Sequence, residues 1–143
     1  MSEIKNLWPA ELLNTSHLLL PITILQEQAR FLNEMTKNIV IAEIDTRKAT
    51  LSITPSKTKP AIIHTLKVIA PAIGNYDFEL VRLIQEEVFP YPLRVYAPLT
   101  DDSHEINTST ELANVLEKIF NDKKTIATVQ SLLVQSYSNS DKN

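Results

Sequence analysis

Gly74 is the only glycine among 143 residues, and that scarcity constrains this chain more than any motif it carries. Backbone that cradles a phosphate, or that repeatedly turns through positive φ, needs several positions free of a Cβ. One glycine cannot supply G-x-G-x-x-G, G-x-x-x-x-G-K or the G-x-S-x-G nucleophile elbow. P-loop ATPases, Rossmann-type dinucleotide enzymes and typical α/β-hydrolases are therefore excluded. The glycine stands in "IAPAIGNYDFELVRLIQ", residues 69–85. Glycine at the first central position of a two-residue loop suits a type II′ hairpin turn, so Gly74-Asn75 is expected to be a corner between two strands. In a rival reading Tyr76, Leu80, Leu83, Ile84 and Val88 line one arc of a helix. That leaves Phe78 on the far side and the glycine without a purpose, so the strand is preferred.

The remaining punctuation comes from eight prolines. Pro9 suits the first position of a short helical turn in "WPAELL", and Pro21 opens a helix over "PITILQEQARFLNEMTK". There Ile22, Leu25, Ala29, Leu32 and Met35 or Thr36 form one apolar stripe. "IVIAEI", residues 39–44, is β-branched and favours a strand. "ATLSIT", residues 49–54, alternates as a second, half-buried strand with Ala49, Leu51 and Ile53 on one face. "PSKTKP", residues 55–60, reads as a loop, and "AIIHTLKVIA", residues 61–70, as a third strand with Ile62, His64, Leu66 and Val68 on one face.

Three prolines in "VFPYPLRVYAP" leave room only for a short edge strand around 93–97, and "LTDDSHEIN", residues 99–107, is expected to be a loop. Thr108 and Glu111 make a capping box for a helix bearing Leu112, Val115, Leu116, Ile119 and Phe120. A second helix carries Ile126, Val129, Leu132 and Leu133. The expected fold is α+β: an antiparallel sheet of four to five strands flanked by an N-terminal helix and two C-terminal helices. Residues 1–136 make one domain, which is long enough for a single core, and residues 137–143 a flexible polar tail.

With no cysteine, the chain has no thiolate nucleophile, disulfide or zinc-thiolate site. No apolar run reaches the roughly 18 residues that span a bilayer, and Glu3 and Pro9 interrupt any signal-like start, so the expected location is cytoplasmic, away from membranes. The sequons at Asn14 and Asn107 then read as loop and capping chemistry. Net charge is −3, which disfavours nucleic acid as a partner. Five of the fourteen bases, Arg47, Lys48, Lys57, Lys59 and Lys67, nevertheless fall between Thr46 and Tyr76, where there is no acid. Lysines on edge strands suppress strand association, which is the plainer explanation. Weak nucleic-acid binding through residues 46–67 is the third functional reading.

No catalytic constellation or cofactor site stands out. His17, His64 and His104 are at least forty residues apart, and His104-Glu105 lacks the second histidine of H-E-x-x-H. Asp101, Asp102, His104 and Glu105 cluster, but acids gather before a helix N-terminus in any case, so no metal is expected. His64, on an apolar strand face, could act as a base if Glu43 or Asp45 stood beside it. Arg94 with Tyr91 and Tyr96 could form an anion or stacking site, and Arg47 and Lys48 could contribute binding charge. The favoured reading is a non-enzymatic protein–protein interaction or adapter module, with a homodimer expected. The alternative is a small-molecule-binding protein or small enzyme with a pocket near His64.

Overall fold

The computed structural model describes residues 3–15 and 18–140, so His17, Ser16 of the first sequon and residues 141–143 of the expected tail lie outside it. After a single 3-10 turn at Ala10–Leu13 come α1 (Pro21–Met35), β1 (Ile41–Thr54), β2 (Lys57–Ala70), β3 (Tyr76–Glu86), β4 (Leu93–Ala97), β5 (Asp102–Ile106), α2 (Ser109–Phe120) and α3 (Lys123–Ser140). The five strands form one antiparallel sheet in the order β1-β2-β3-β4-β5, a meander in which each strand pairs with the next. The α+β class is as expected.

Pro21 opens α1 at a position where its missing N–H costs nothing. The helix ends at Thr36, and Lys37 and Asn38 then take positive φ of 52° and 62° to turn the chain into β1. There the expected partition changes. "IVIAEI" and "ATLSIT" are not two strands but parts of one, because Asp45, Thr46, Arg47 and Lys48 pair without a break with Thr65, His64, Ile63 and Ile62. A contiguous ladder to β2 outweighs the weak strand propensity of Asp and Lys. The "PSKTKP" loop shrinks accordingly to the two residues Pro55 and Ser56, with Thr54 paired to Lys57.

Gly74 is a corner, though of a different kind from the one expected. Residues 71–73 form a 3-10 turn, Gly74 caps it in the left-handed region (φ 69°, ψ 30°), and Asn75 follows at φ 57°. Ala70 pairs with Tyr76, so the connection has five residues and is not a two-residue type II′ turn. Residues 76–86 are the returning strand. β4 spans the expected 93–97, but "DSHEI" is a fifth strand and not a loop, because β4 offers it a ladder from Leu93↔Ile106 to Ala97↔Asp102.

The cross-strand register sorts the side chains. Ile44, Leu66 and Val81 share one face with Leu83, Leu93, Val95 and Ile106, and Leu25, Ala29, Leu112, Leu116, Ile119 and Leu132 from the helices complete the buried core on that side. On the opposite face the rungs are charged: Glu43–Lys67–Glu79, Asp45–Thr65–Arg82–Tyr96, and Arg47–Ile63–Ile84–Arg94–Glu105. Ile63 and Thr65 are buried on this face between rungs of long charged side chains, whose aliphatic stems suit such a cover, although no helix among the described residues crosses them. The capping box forms, with Thr108 Oγ1 accepting from Glu111 N at 3.1 Å and Glu111 Oε2 accepting from Asn107 N at 2.7 Å. α3 runs on through residues 137–140, where a tail was expected, and Asn139 Nδ2 donates to Ala72 O at 2.9 Å.

Candidate functional site

Three helices on a five-stranded face leave a gap. α1 lies over the β1 side of the sheet, α2 beside β5, and α3 against β2 and the 71–73 turn. Between α1 and α3 a cleft of about 420 Å³ opens down to Ala42, Leu66 and Leu80 on the sheet. Its walls are Phe31, Leu32 and Met35 from α1, and Phe120, Ile126 and Val129 from the other side. Gln28, Asn121 and Gln130 make the polar part of its rim, and no charged residue among the described ones lines it.

The cleft exists because each helix carries apolar residues off its buried stripe. In α1, Leu25 and Ala29 are fully covered, whereas Phe31 and Met35, one turn apart on the flank, are 48% and 83% exposed. The Arg30 guanidinium sits 4.6 Å from the centroid of the Phe31 ring and is held by Glu27 and Glu34, both of which raise its pKa. In α3 the expected Val129, Leu132 and Leu133 turn inward, joined by Thr125 and Ser136, whereas Ile126 is 41% exposed at the cleft. Isolated exposed apolar groups are ordinary, but a contiguous set around a concavity is a mark of binding.

The segment before α1 exposes a second set of apolar side chains. Of seventeen large hydrophobic side chains exposed among the described residues, eight fall between Ile4 and Leu20, including Leu7, Trp8, Leu12 and Leu13. This arm is tied to the body at its base, where Tyr91 Oη donates to Leu19 O at 2.8 Å.

The residues singled out from sequence are distributed differently. His64 is 5% exposed, and its Nδ1 lies 2.8 Å from Thr46 Oγ1. Burial lowers its pKa, while the nearby Gln85 side chain opposes that shift even though Gln85 Oε1 has no hydrogen bond of ordinary geometry. Glu43 and Asp45 do not meet His64. They pair with Lys67 and Thr65 and so project from the opposite face of the sheet, because successive residues of a strand alternate. The base–acid pairing expected there is corrected by the register.

Arg94, Tyr96 and Arg47 do share the charged outer face, yet they form no cluster. Arg94 and Arg47 lie three strand spacings apart on one rung, about 14 Å. Arg94 Nη1 is 3.4 Å from Ser103 Oγ, and Tyr96 Oη donates to Asp101 at 2.9 Å, a bond that raises the phenol's pKa. Tyr91, expected beside them, instead packs against the core, where burial raises its pKa.

Three of the five bases between 46 and 76 stand beside acids from outside that stretch. Lys48 pairs with Glu87 at 3.8 Å, Lys59 with Glu86, and Lys67 stands between Glu43 and Glu79. Asp102 and His104 alternate in face with Ser103 and Glu105 along β5, and among the described residues no three His, Asp or Glu side chains are grouped to hold a metal ion. No helix among the described residues is long and apolar enough to cross a membrane.

The cleft lay beyond sequence reasoning, although Phe31 off the α1 stripe was a visible signal; Met35, expected on the stripe, is instead 83% exposed on its flank. No family model matches this chain, and neither a curated protein nor a solved structure matches it.

Proposed function

We propose that this chain is a protein-binding module, not a catalyst, and that it receives an apolar segment of a partner protein in the cleft between α1 and α3. The observation that carries the reading is the contiguous exposure of Phe31, Met35 and Ile126 around an apolar floor of Leu66 and Leu80. Aromatic and methionine side chains around a concavity suit a helix-in-groove contact, because Met adapts its shape and Phe contributes large area. An uncharged lining favours a partner segment whose inserted residues are apolar. The arm with Trp8, Leu12 and Leu13 supplies a second surface that the same partner would cover.

A second reading rests on the cleft's size, which falls in the range of small-ligand pockets, and on the buried Thr125 Oγ1, which has no hydrogen-bond partner among the described residues. An apolar molecule with one acceptor would suit it. Native mass spectrometry separates the two, because a small ligand adds a fixed small mass and a partner adds a chain.

The test is recovery of complexes from the source cells with the intact chain and with a Phe31→Asp, Ile126→Asp variant of unchanged circular dichroism. A stoichiometric protein lost with the variant, together with slowed hydrogen exchange in the cleft-lining segments of α1 and α3, supports the reading. A partner that binds the variant equally well sinks it.

A further inference from the structure

β1 is an edge strand of fourteen residues, and its outer side has a hydrogen-bonding pattern that can be read from one contact. Ala42 N donates to Asn33 Oδ1 at 2.7 Å, and Ala42 O accepts from Asn33 Nδ2 at 3.4 Å. The Ala42 peptide groups therefore point away from β2, and by alternation those of Ile44, Thr46 and Lys48 do too. α1 caps the edge at Ala42 and leaves the next residues without a strand partner on that side. Residues 45–48 are exposed.

We infer that two copies of this chain associate by antiparallel pairing of their β1 edges about a twofold axis at Thr46. The register follows from two constraints. Hydrogen-bonding parity requires outward-pointing residues to face one another, so even-numbered residues meet even-numbered ones. Charge then selects among the allowed registers. With Thr46 opposite Thr46 of the second copy, Asp45 faces Arg47 of that copy and Arg47 faces its Asp45. A shift of the axis by one residue brings Asp45 to Asp45 or Arg47 to Arg47. A shift by two residues sets Glu43 against Asp45, or Lys48 against Lys48. Like charges directly opposite are destabilising, and only the Thr46 register pairs opposite charges on both sides of the axis without also setting like charges against each other.

The space beside the edge fits this arrangement. Ile44 lines a shallow groove of about 450 Å³ together with Ala29, Arg30, Asn33 and Glu34 of α1 and Lys37 after it, and Lys48 of the second copy would lie opposite Ile44. The Asn33 cap at Ala42 ends the ladder on each side, so the pairing closes as a dimer with one continuous ten-stranded sheet. This surface is separate from the α1–α3 cleft and does not depend on it.

Sedimentation equilibrium of the full chain tests the pairing with three variants. The wild type is expected to have twice the mass of one chain. Arg47→Glu places acids opposite Asp45 and should weaken the dimer about tenfold. Asp45→Arg combined with Arg47→Asp exchanges the charges in the same register and should restore dimerisation. Lys48→Pro removes two ladder bonds at a position where proline is tolerated if the N–H faces outward, so it should dissociate the dimer while leaving circular dichroism unchanged. A strict monomer at high concentration overturns the proposal. So does a dimer indifferent to Arg47→Glu, or a rising series of masses showing head-to-tail pairing of β1 with β5. Phe31→Asp should leave the dimer intact whatever it does to partner binding.

Discussion

Thr46 Oγ1 and His64 Nδ1 lie 2.8 Å apart across β1 and β2 on a rung whose backbone groups point to the outer neighbours, which is where paired side chains approach most closely. His64 is thus a buried polar group satisfied within the sheet, and burial holds its pKa below the ordinary 6.5. Because the depressed value belongs to the folded state, the unfolded chain takes up the proton first as pH falls. His64 should therefore contribute its stability fully above about pH 6.5 and lose it as pH falls through the lower folded value. Urea unfolding across that window should show a stability loss that is diminished in His64→Gln. An identical pH slope in the two proteins would remove this account of His64.

Gly74 is needed for its φ of 69° and not for space, because a Cβ built there meets nothing within 4 Å. Gly74→Ala should cost about 1 kcal/mol, the strain of a non-glycine residue in the left-handed region. Gly74→Asn should cost less, since asparagine tolerates that region. Chemical denaturation of the three proteins measures the order.

The inward face of α3 mixes Leu132 with the Thr125 and Ser136 hydroxyls, which are buried and lack hydrogen-bond partners among the described residues. Leu132→Ala should destabilise by roughly 2–5 kcal/mol through a cavity. Ser136→Ala should be neutral or stabilising by about 1 kcal/mol, because it removes an unsatisfied group. A large loss from Ser136→Ala in thermal unfolding would mean that the hydroxyl has a partner after all.

Asn33 satisfies both backbone groups of the buried Ala42. Asn33→Ala should cost about 2 kcal/mol and expose the Ala42 amide to faster hydrogen exchange, since a buried donor and acceptor lose their partners together. Asn33→Asp keeps the acceptor for Ala42 N–H and should fall between the two. Equal exchange rates in wild type and Asn33→Ala would show that the cap contributes nothing.

Elements whose signals are local could be read from the sequence. Pro21 fixed the start of α1, Thr108 and Glu111 the start of α2, and the alternation of residues 61–70 the third candidate strand. The lone Gly74 marked a chain reversal because positive φ is a property of one residue. These features together were enough to give the α+β class.

Non-local pairing decided the rest. Asp45 to Lys48 look like a break until β2 supplies a ladder, and "DSHEI" looks like a loop until β4 lies beside it. Strand alternation set Glu43 and Asp45 against the reading that joined them to His64, since adjacent residues of a strand face opposite ways. The same alternation made Thr46 its partner. The cleft at Phe31 and Met35 arises only from where three helices stop covering five strands. A sequence gives each helix its apolar stripe, but which flank stays open depends on how neighbouring elements pack, and that is fixed by contacts between residues far apart in the chain.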